Sequence, residues 1–218
     1  MKVGTDGVLL GAWADVSGVE RILDIGSGSG LIALMLAQRS EAKIDAIEID
    51  ENAFLQNEEN FAQSKWKESL NVQHISLADF TKKENYGRYD LIVCNPPFFQ
   101  NALKSPMEDR TLARHSVALT LKQLLDCSEK LLNNSGNLCL ILPLEKLDEV
   151  KHEIAGKMTN KKQMLVFPKP GKAAKRVLLQ LQKGKCETEF AELTIETGSR
   201  HEYSSQFKEL LKDFYLAF

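Results

Sequence analysis

Apolar and polar positions along the chain follow two periods. Continuous apolar runs of strand length recur at "RILDIG" (21–26), "KIDAIEID" (43–50), "NVQHISLAD" (71–79), "YDLIVCN" (89–95) and "GNLCLILP" (136–143). Such runs, bounded by turn residues, read as buried strands. Between them, "LIALMLAQ" (31–38), "ENAFLQNEENFAQS" (51–64) and "LTLKQLLDCSEKLL" (119–132) place apolar residues at helical spacing. Strands alternating with helices predict a parallel sheet with crossover connections, covered on both faces.

Beyond Pro143 the pattern predicts a helix near 145–156, a strand at "MLVFP" (164–168) and another at "KRVLLQLQK" (175–183). The short loop "KPGKAA" between the last two predicts an antiparallel edge. The tail "SSQFKELLKDFYLAF" alternates apolar and charged residues at helical spacing and predicts a closing amphipathic helix. The whole pattern is a doubly wound α/β fold with one antiparallel strand. It reads as a single domain over 1–218, with a core at 1–143 and added strands, helix and basic surface at 144–218.

Composition narrows the class. The chain has 218 residues, 43% hydrophobic and 27% charged, an ordinary soluble composition able to bury one substantial core. No apolar run approaches the about 18 residues needed to span a bilayer, and no secretory leader is visible. Cys94, Cys127, Cys139 and Cys186 form no CxxC pair, and His74, His115, His152 and His201 form no HExxH spacing. Buried thiols in a reducing cytosol, a cytoplasmic location and metal-free chemistry are the expectations. The net charge of -2 hides an asymmetry: nine Lys or Arg and no Asp or Glu fall between Lys157 and Lys185. That stretch suits a polyanion as well as it suits an ordinary solvated surface.

Two motifs carry candidate chemistry. "LDIGSGSGL" sets Gly26, Gly28 and Gly30 between a strand and a helix, where glycine lets the backbone turn tightly and approach a ligand. Asp24 precedes the first glycine, and Glu48 closes the second strand, placed to accept from the hydroxyls of a ribose. Ile49 would then lie against one face of an adenine, and Asp79 with Phe80 would meet its edge. A tight turn alone explains Gly26 but not this set together. The spacing GxGxG departs from a dinucleotide fingerprint, which makes an NAD-linked dehydrogenase the weakest alternative.

The second motif is "CNPPFF" (94–99), directly after the strand "YDLIV". An amino group conjugated to a ring, or an amide nitrogen, is a poor nucleophile and carries two hydrogens. The Asn95 side-chain oxygen and the Pro96 carbonyl can accept one each. Pro96 and Pro97 stiffen that turn, and Phe98 offers a face for a planar base, a contact worth about 1–3 kcal/mol. A rigid surface turn with Phe98 and Phe99 packed inward is the structural alternative.

Glycine loop, Glu48 and Asn-Pro-Pro-aromatic together resemble the class I S-adenosylmethionine-dependent methyltransferases. The resemblance implies a Rossmann-like, doubly wound, mostly parallel seven-stranded sheet with one antiparallel edge strand. It also implies S-adenosyl-L-methionine as cofactor, its methionine part along the glycine loop, its ribose on Glu48, its adenine amino group on Asp79, and Asn95 beside its methyl. Enzymes with this signature methylate planar nitrogens: adenine N6, guanine N2 in ribosomal RNA, and glutamine N5 in release factors. "MKVGTDGVLLGAWA", "ARHSVALTLKQLL" (113–125), "KRVLLQLQK" and "YSSQFKELLKDFYL" (203–216) are similar to the bacterial tRNA1(Val) adenine-N6 methyltransferases.

That likeness implies Thr5, Asp6 and Gly7 over the methionine end of the cofactor, with a helix N-cap as the other reading of Asp6. It implies a monomer acting on the adenine just 3′ of a tRNA anticodon, turned out onto Phe98 and Phe99. Arg110, Arg114, His115, Lys169, Lys172, Lys175 and Arg176 are the candidate phosphate contacts. Phe98 and Phe99 stand where tyrosine is common in the group. The group also usually carries a short segment before "MKVG", so some contacts are expected outside this stretch. The glutamine-N5 and guanine-N2 enzymes typically add a further N-terminal domain that this stretch lacks. A nucleotide- or RNA-binding module without catalysis is the alternative of another class.

Overall fold

The computed structural model describes residues 4–83, 86–96, 119–199 and 201–216. The chain runs through α1 (Thr5–Trp13), β1 (Arg21–Ile25), α2 (Leu31–Arg39), β2 (Lys43–Glu48), α3 (Glu51–Gln63) and β3 (Leu70–His74). It continues with α4 (Leu77–Lys82), β4 (Tyr89–Cys94), α5 (Leu121–Leu131), β5 (Leu132–Pro143) and α6 (Leu147–Ile154). β6 (Met158–Phe167), β7 (Arg176–Lys183), β8 (Glu189–Thr194) and α7 (Ser205–Leu211) complete it.

The strands form one sheet in the order β3-β2-β1-β4-β5-β7-β6-β8. The α/β class and the doubly wound order are as expected; the strand count and the place of the antiparallel strand are not. Among the described residues eight strands pair rather than seven, because "EFAELT" adds β8 parallel to β6. β7 opposes both β5 and β6, so the antiparallel strand lies inside the sheet and not at its edge. Its residues Val177–Leu181 are buried, as a strand flanked on both sides requires. A second correction concerns 75–79, read as the end of a strand. Ser76 caps a helix there by accepting from the Asp79 N–H, so β3 stops at His74 and Asp79 and Phe80 belong to α4.

Two apolar layers cover the sheet. Leu9, Leu10, Leu36, Phe61, Phe207 and Leu211 bring α1, α2, α3 and α7 onto one face. Leu77, Phe80, Leu124, Leu125, Val150 and Ile154 bring α4, α5 and α6 onto the other. Helix α1 is buried from Gly7 to Ala12, as a helix apolar all round must be. At Gly11 a Cβ would sit 2.8 Å from Met35 Sδ, so glycine there sets the close approach of α1 to α2. The strand order reverses at β1: β2 and β3 lie on one side, β4 and β5 on the other. Open α/β sheets present a crevice at the carboxyl ends of the strands at such a point.

Candidate active site

Register places the two motifs side by side. Ile25, the last residue of β1, pairs with Ile47 of β2 and with Cys94 of β4. The glycine loop, Glu48 and Asn95 therefore leave three adjacent strands at one edge. Gly26, Gly28 and Gly30 have φ of 67°, 56° and 83°, left-handed values that glycine adopts freely. A Cβ on Gly30 would lie 2.5 Å from Asn57 Oδ1 and 2.6 Å from a Phe61 ring carbon, whereas one on Gly26 would meet open space. The loop is thus packed against α3 at one glycine and faces the crevice at another.

α3 braces the loop with two amides that the sequence patterns did not single out. Asn57 Nδ2 donates to Ser27 Oγ at 2.8 Å, and Asn60 Nδ2 to the Ser29 carbonyl at 2.8 Å. Their i, i+3 spacing on the helix is the only trace of this in the sequence.

The two crevice carboxylates are used differently. Glu48 Oε1 accepts from the Ile49 and Asp50 N–H groups, at 2.8 and 2.9 Å, and Oε2 accepts from Gly28 N–H at 2.8 Å. A carboxylate has about four acceptor sites, so one remains, on Oε2. Asp24 is fully buried; its Oδ2 accepts from Ala33 N–H at 3.2 Å, and its Oδ1 has no partner. Burial pushes this carboxyl up to about 7; the Ala33 hydrogen bond opposes the shift and the Glu48 charge adds to it. The neighbouring Cys94 thiol is pushed well above its ordinary value, by burial first.

Ile49, directly after Glu48, is exposed, with 52% of its surface open. His74 Nε2 lies 3.0 Å from the Ile49 carbonyl and its ring stacks on Phe54. A carbonyl only accepts, so Nε2 carries the hydrogen. Asp79 is exposed in the first turn of α4, held by Ser76 Oγ at 2.7 Å and Lys82 Nζ at 2.9 Å. Those two bonds, Lys82 first, keep its carboxyl below the ordinary range. Phe80 departs from expectation at its ring: the residue is 2% exposed and the ring packs toward Tyr89 in the core, so the ring does not line an adenine edge.

Asn95 and Pro96 follow β4 at intermediate burial. A Cβ on Gly7 would lie 3.9 Å from Asn95 Nδ2 and 3.7 Å from Leu31 Cδ2, which brings the first turn of α1 over both motifs. Asp6 is not the N-cap; Gly4 is, with no side-chain bond, and Asp6 lies inside the helix. Its Oδ2 accepts from Arg176 Nε at 2.7 Å. Thr5 opens the same turn. Pro97, Phe98, Phe99, Arg110, Arg114 and His115 lie outside the described residues.

The basic stretch is less bare than its composition suggests. Lys157 pairs with Asp126, Lys162 with Glu189, Lys169 with Glu196 and Arg176 with Asp6. Acids from other segments arrive by folding, which a count along the chain cannot register. Lys172 and Lys175, in the β6–β7 hairpin loop, have no acidic partner among the described residues. Arg176 pairs with Pro143 at the carboxyl end of β5, so this loop shares the sheet edge with Asn95. Two strand spacings, about 10 Å, separate β4 from β7.

The chain is similar to known methyltransferases. A family model described as "Methyltransferase small domain" matches residues 8–160. A protein of Trichodesmium erythraeum named tRNA1(Val) (adenine(37)-N6)-methyltransferase is 46% identical, covering 100% of this chain and 92% of its own length. One of the same name from Parabacteroides distasonis is 46% identical, over 99% of this chain and 91% of its own. Among solved structures, a predicted O-methyltransferase from Agrobacterium tumefaciens superposes with a TM-score of 0.75 at 18% identity, covering 95% of this chain and 96% of that one. At that identity it speaks for the fold alone.

Proposed function

The chain belongs to the methyltransferase small domain family and, within it, to the group of the tRNA1(Val) (adenine(37)-N6)-methyltransferases; on that premise we propose that it methylates N6 of adenine 37 in the anticodon loop of a tRNA, using S-adenosyl-L-methionine. The observation that carries this reading is the juxtaposition at the switch point of Asn95 with a glycine loop and two buried carboxylates.

The crevice fits the cofactor. The bare Oδ1 of Asp24 and the remaining acceptor site on Glu48 Oε2 can each receive a hydrogen from it, and Gly26 leaves room for close approach. Glu48 would hold the ribose, Ile49 one face of the adenine and Asp79 its amino edge, with Thr5, Asp6 and Gly7 over the other end. When bound, S-adenosyl-L-methionine supplies an electrophilic methyl group on a positively charged sulfur.

The chain's own residues then orient the acceptor. Asn95 Oδ1 and the Pro96 carbonyl take the two hydrogens of the adenine amino group and aim its lone pair. The same oxygens stabilise the positive charge that grows on nitrogen. The proton is released to solvent afterwards, so a strong general base is not needed. Phe98 and Phe99 are proposed to stack the turned-out base. Lys172 and Lys175 are proposed to meet the RNA backbone from the same sheet edge.

Methyl-tritiated S-adenosylmethionine incubated with unmodified tRNA, followed by nuclease digestion and nucleoside chromatography, tests the reading. Label in N6-methyladenosine is expected. Label in N2-methylguanosine, or in protein when extract replaces RNA, would replace it with one of the rival amines.

A further inference from the structure

The Asp6–Arg176 contact joins residues 170 positions apart at 2.7 Å, between the first turn of α1 and the start of β7. We propose that Arg176 is a positioning residue: through Asp6 it holds the first turn of α1 over Asn95 and the glycine loop. The proposal rests on reading the crevice as the methyl-donor site.

The turn needs such a tie. Its N-cap Gly4 supplies no side-chain bond, and the first helical bond, Val8 N–H to the Gly4 carbonyl, is long at 3.4 Å. Ordinary N–H···O bonds run about 2.7–3.2 Å. A helix end without a capping side chain frays readily. Arg176, by contrast, is anchored. Its backbone lies in the sheet between Pro143 and Val166, and its Nη1 donates to the Lys175 carbonyl at 3.1 Å. The pair is only partly exposed, at 36% for Arg176 and 28% for Asp6, so solvent screens it incompletely.

What the tie positions is the roof of the crevice. Gly7, next to Asp6, approaches Asn95 Nδ2 on one side and Leu31, the first residue of α2 after the glycine loop, on the other. Displacement of this turn opens the crevice beside the amide that receives the amine. The contacts with Asp6 and the Lys175 carbonyl use Nε and one Nη1 hydrogen of Arg176, so the pair can stay closed while RNA is bound.

The test compares the wild-type chain with Arg176→Gln, Arg176→Lys and Asp6→Asn. S-adenosylhomocysteine affinity is read by calorimetry, unmodified tRNA affinity by filter binding, and α1 amide protection by hydrogen exchange. Arg176→Gln and Asp6→Asn are expected to weaken S-adenosylhomocysteine about two- to fivefold, the range of a partly screened ion pair. Exchange in the first turn of α1 should quicken, tRNA affinity should hold, and Arg176→Lys should recover most of the loss. Unchanged S-adenosylhomocysteine affinity in Arg176→Gln overturns the proposal. So does a fall in tRNA affinity with the donor site intact, which would make Arg176 an RNA contact. A wild-type chain that binds no S-adenosylhomocysteine sinks the functional reading itself, whereas normal wild-type binding with indifferent variants sinks only the role of Arg176.

Discussion

The switch-point crevice and the β6–β7 hairpin share one edge of the sheet but treat their polar groups in opposite ways. In the crevice, backbone N–H groups and α3 amide donors satisfy most groups, leaving the buried Asp24 Oδ1 and, behind the loop, Asn57 Oδ1 bare. On the hairpin side, charges meet as ion pairs on the surface, as with Lys169 and Glu196, and among the described residues Lys172 and Lys175 have no acidic partner. A buried oxygen without a partner costs about 1–3 kcal/mol, so the crevice holds stored cost for a ligand to relieve. A leftover surface lysine costs nothing and offers only long-range attraction, which salt screens. The first arrangement suits a small molecule of fixed shape, the second a polyanion.

Four variants sharpen that contrast. Asn95→Ala removes one of two acceptors aimed at the amine and should lower kcat about 100- to 1000-fold, with cofactor affinity retained; a near-normal rate would mean the amine is held elsewhere. Gly30→Ala drives a Cβ toward Asn57 and Phe61 at a φ of 83°. It should destabilise the chain by about 2–3 kcal/mol, read by denaturant unfolding. A neutral outcome would mean the loop is not braced by α3.

Asp24→Asn tests the bare carboxyl through pH. The folded pKa of about 7 lies above the ordinary 3.8, so the folded chain keeps a proton that the unfolded chain releases. The stability this provides is complete below pH 3.8 and is lost as pH rises through about 7. The slope is up to about 1.4 kcal/mol per pH unit. Thermal melts of the cofactor-free chain should show that decline, and Asp24→Asn should flatten it; equal slopes would mean the carboxyl ionises freely. The smallest effect belongs to the hairpin. Lys172→Glu with Lys175→Glu should weaken tRNA binding about tenfold near 0.1 M salt and reduce its salt dependence, with cofactor affinity unaltered. Unchanged tRNA affinity would detach the hairpin from the substrate.

The same contrast explains what could be read in advance. β1, β2, β4 and β5 are buried on both faces and announce themselves as apolar runs, and the loop after β1 shows its glycines. β8 passes unnoticed because "EFAELT" keeps only Leu193 buried. β6 starts at Met158, through the polar "TNKKQ", where half-exposed positions erase any periodicity. The α4 turn was obscured because "ISLADF" is as apolar as a strand, and only the Ser76 cap separates the two. The burial of Phe80 is hidden for the same reason, since it depends on packing of α4 toward Tyr89 of β4. Pairings such as Asp6 with Arg176 have no local signature, because topology alone brings them together.

The central claim is that the crevice between β1 and β4 seats the methyl donor with its reactive end beside Asn95. A crystal structure with S-adenosylhomocysteine tests it most directly. The ligand should lie along Gly26–Gly30, its ribose on Glu48 and its sulfur end next to Asn95. A ligand seated at any other edge of the sheet would contradict the claim.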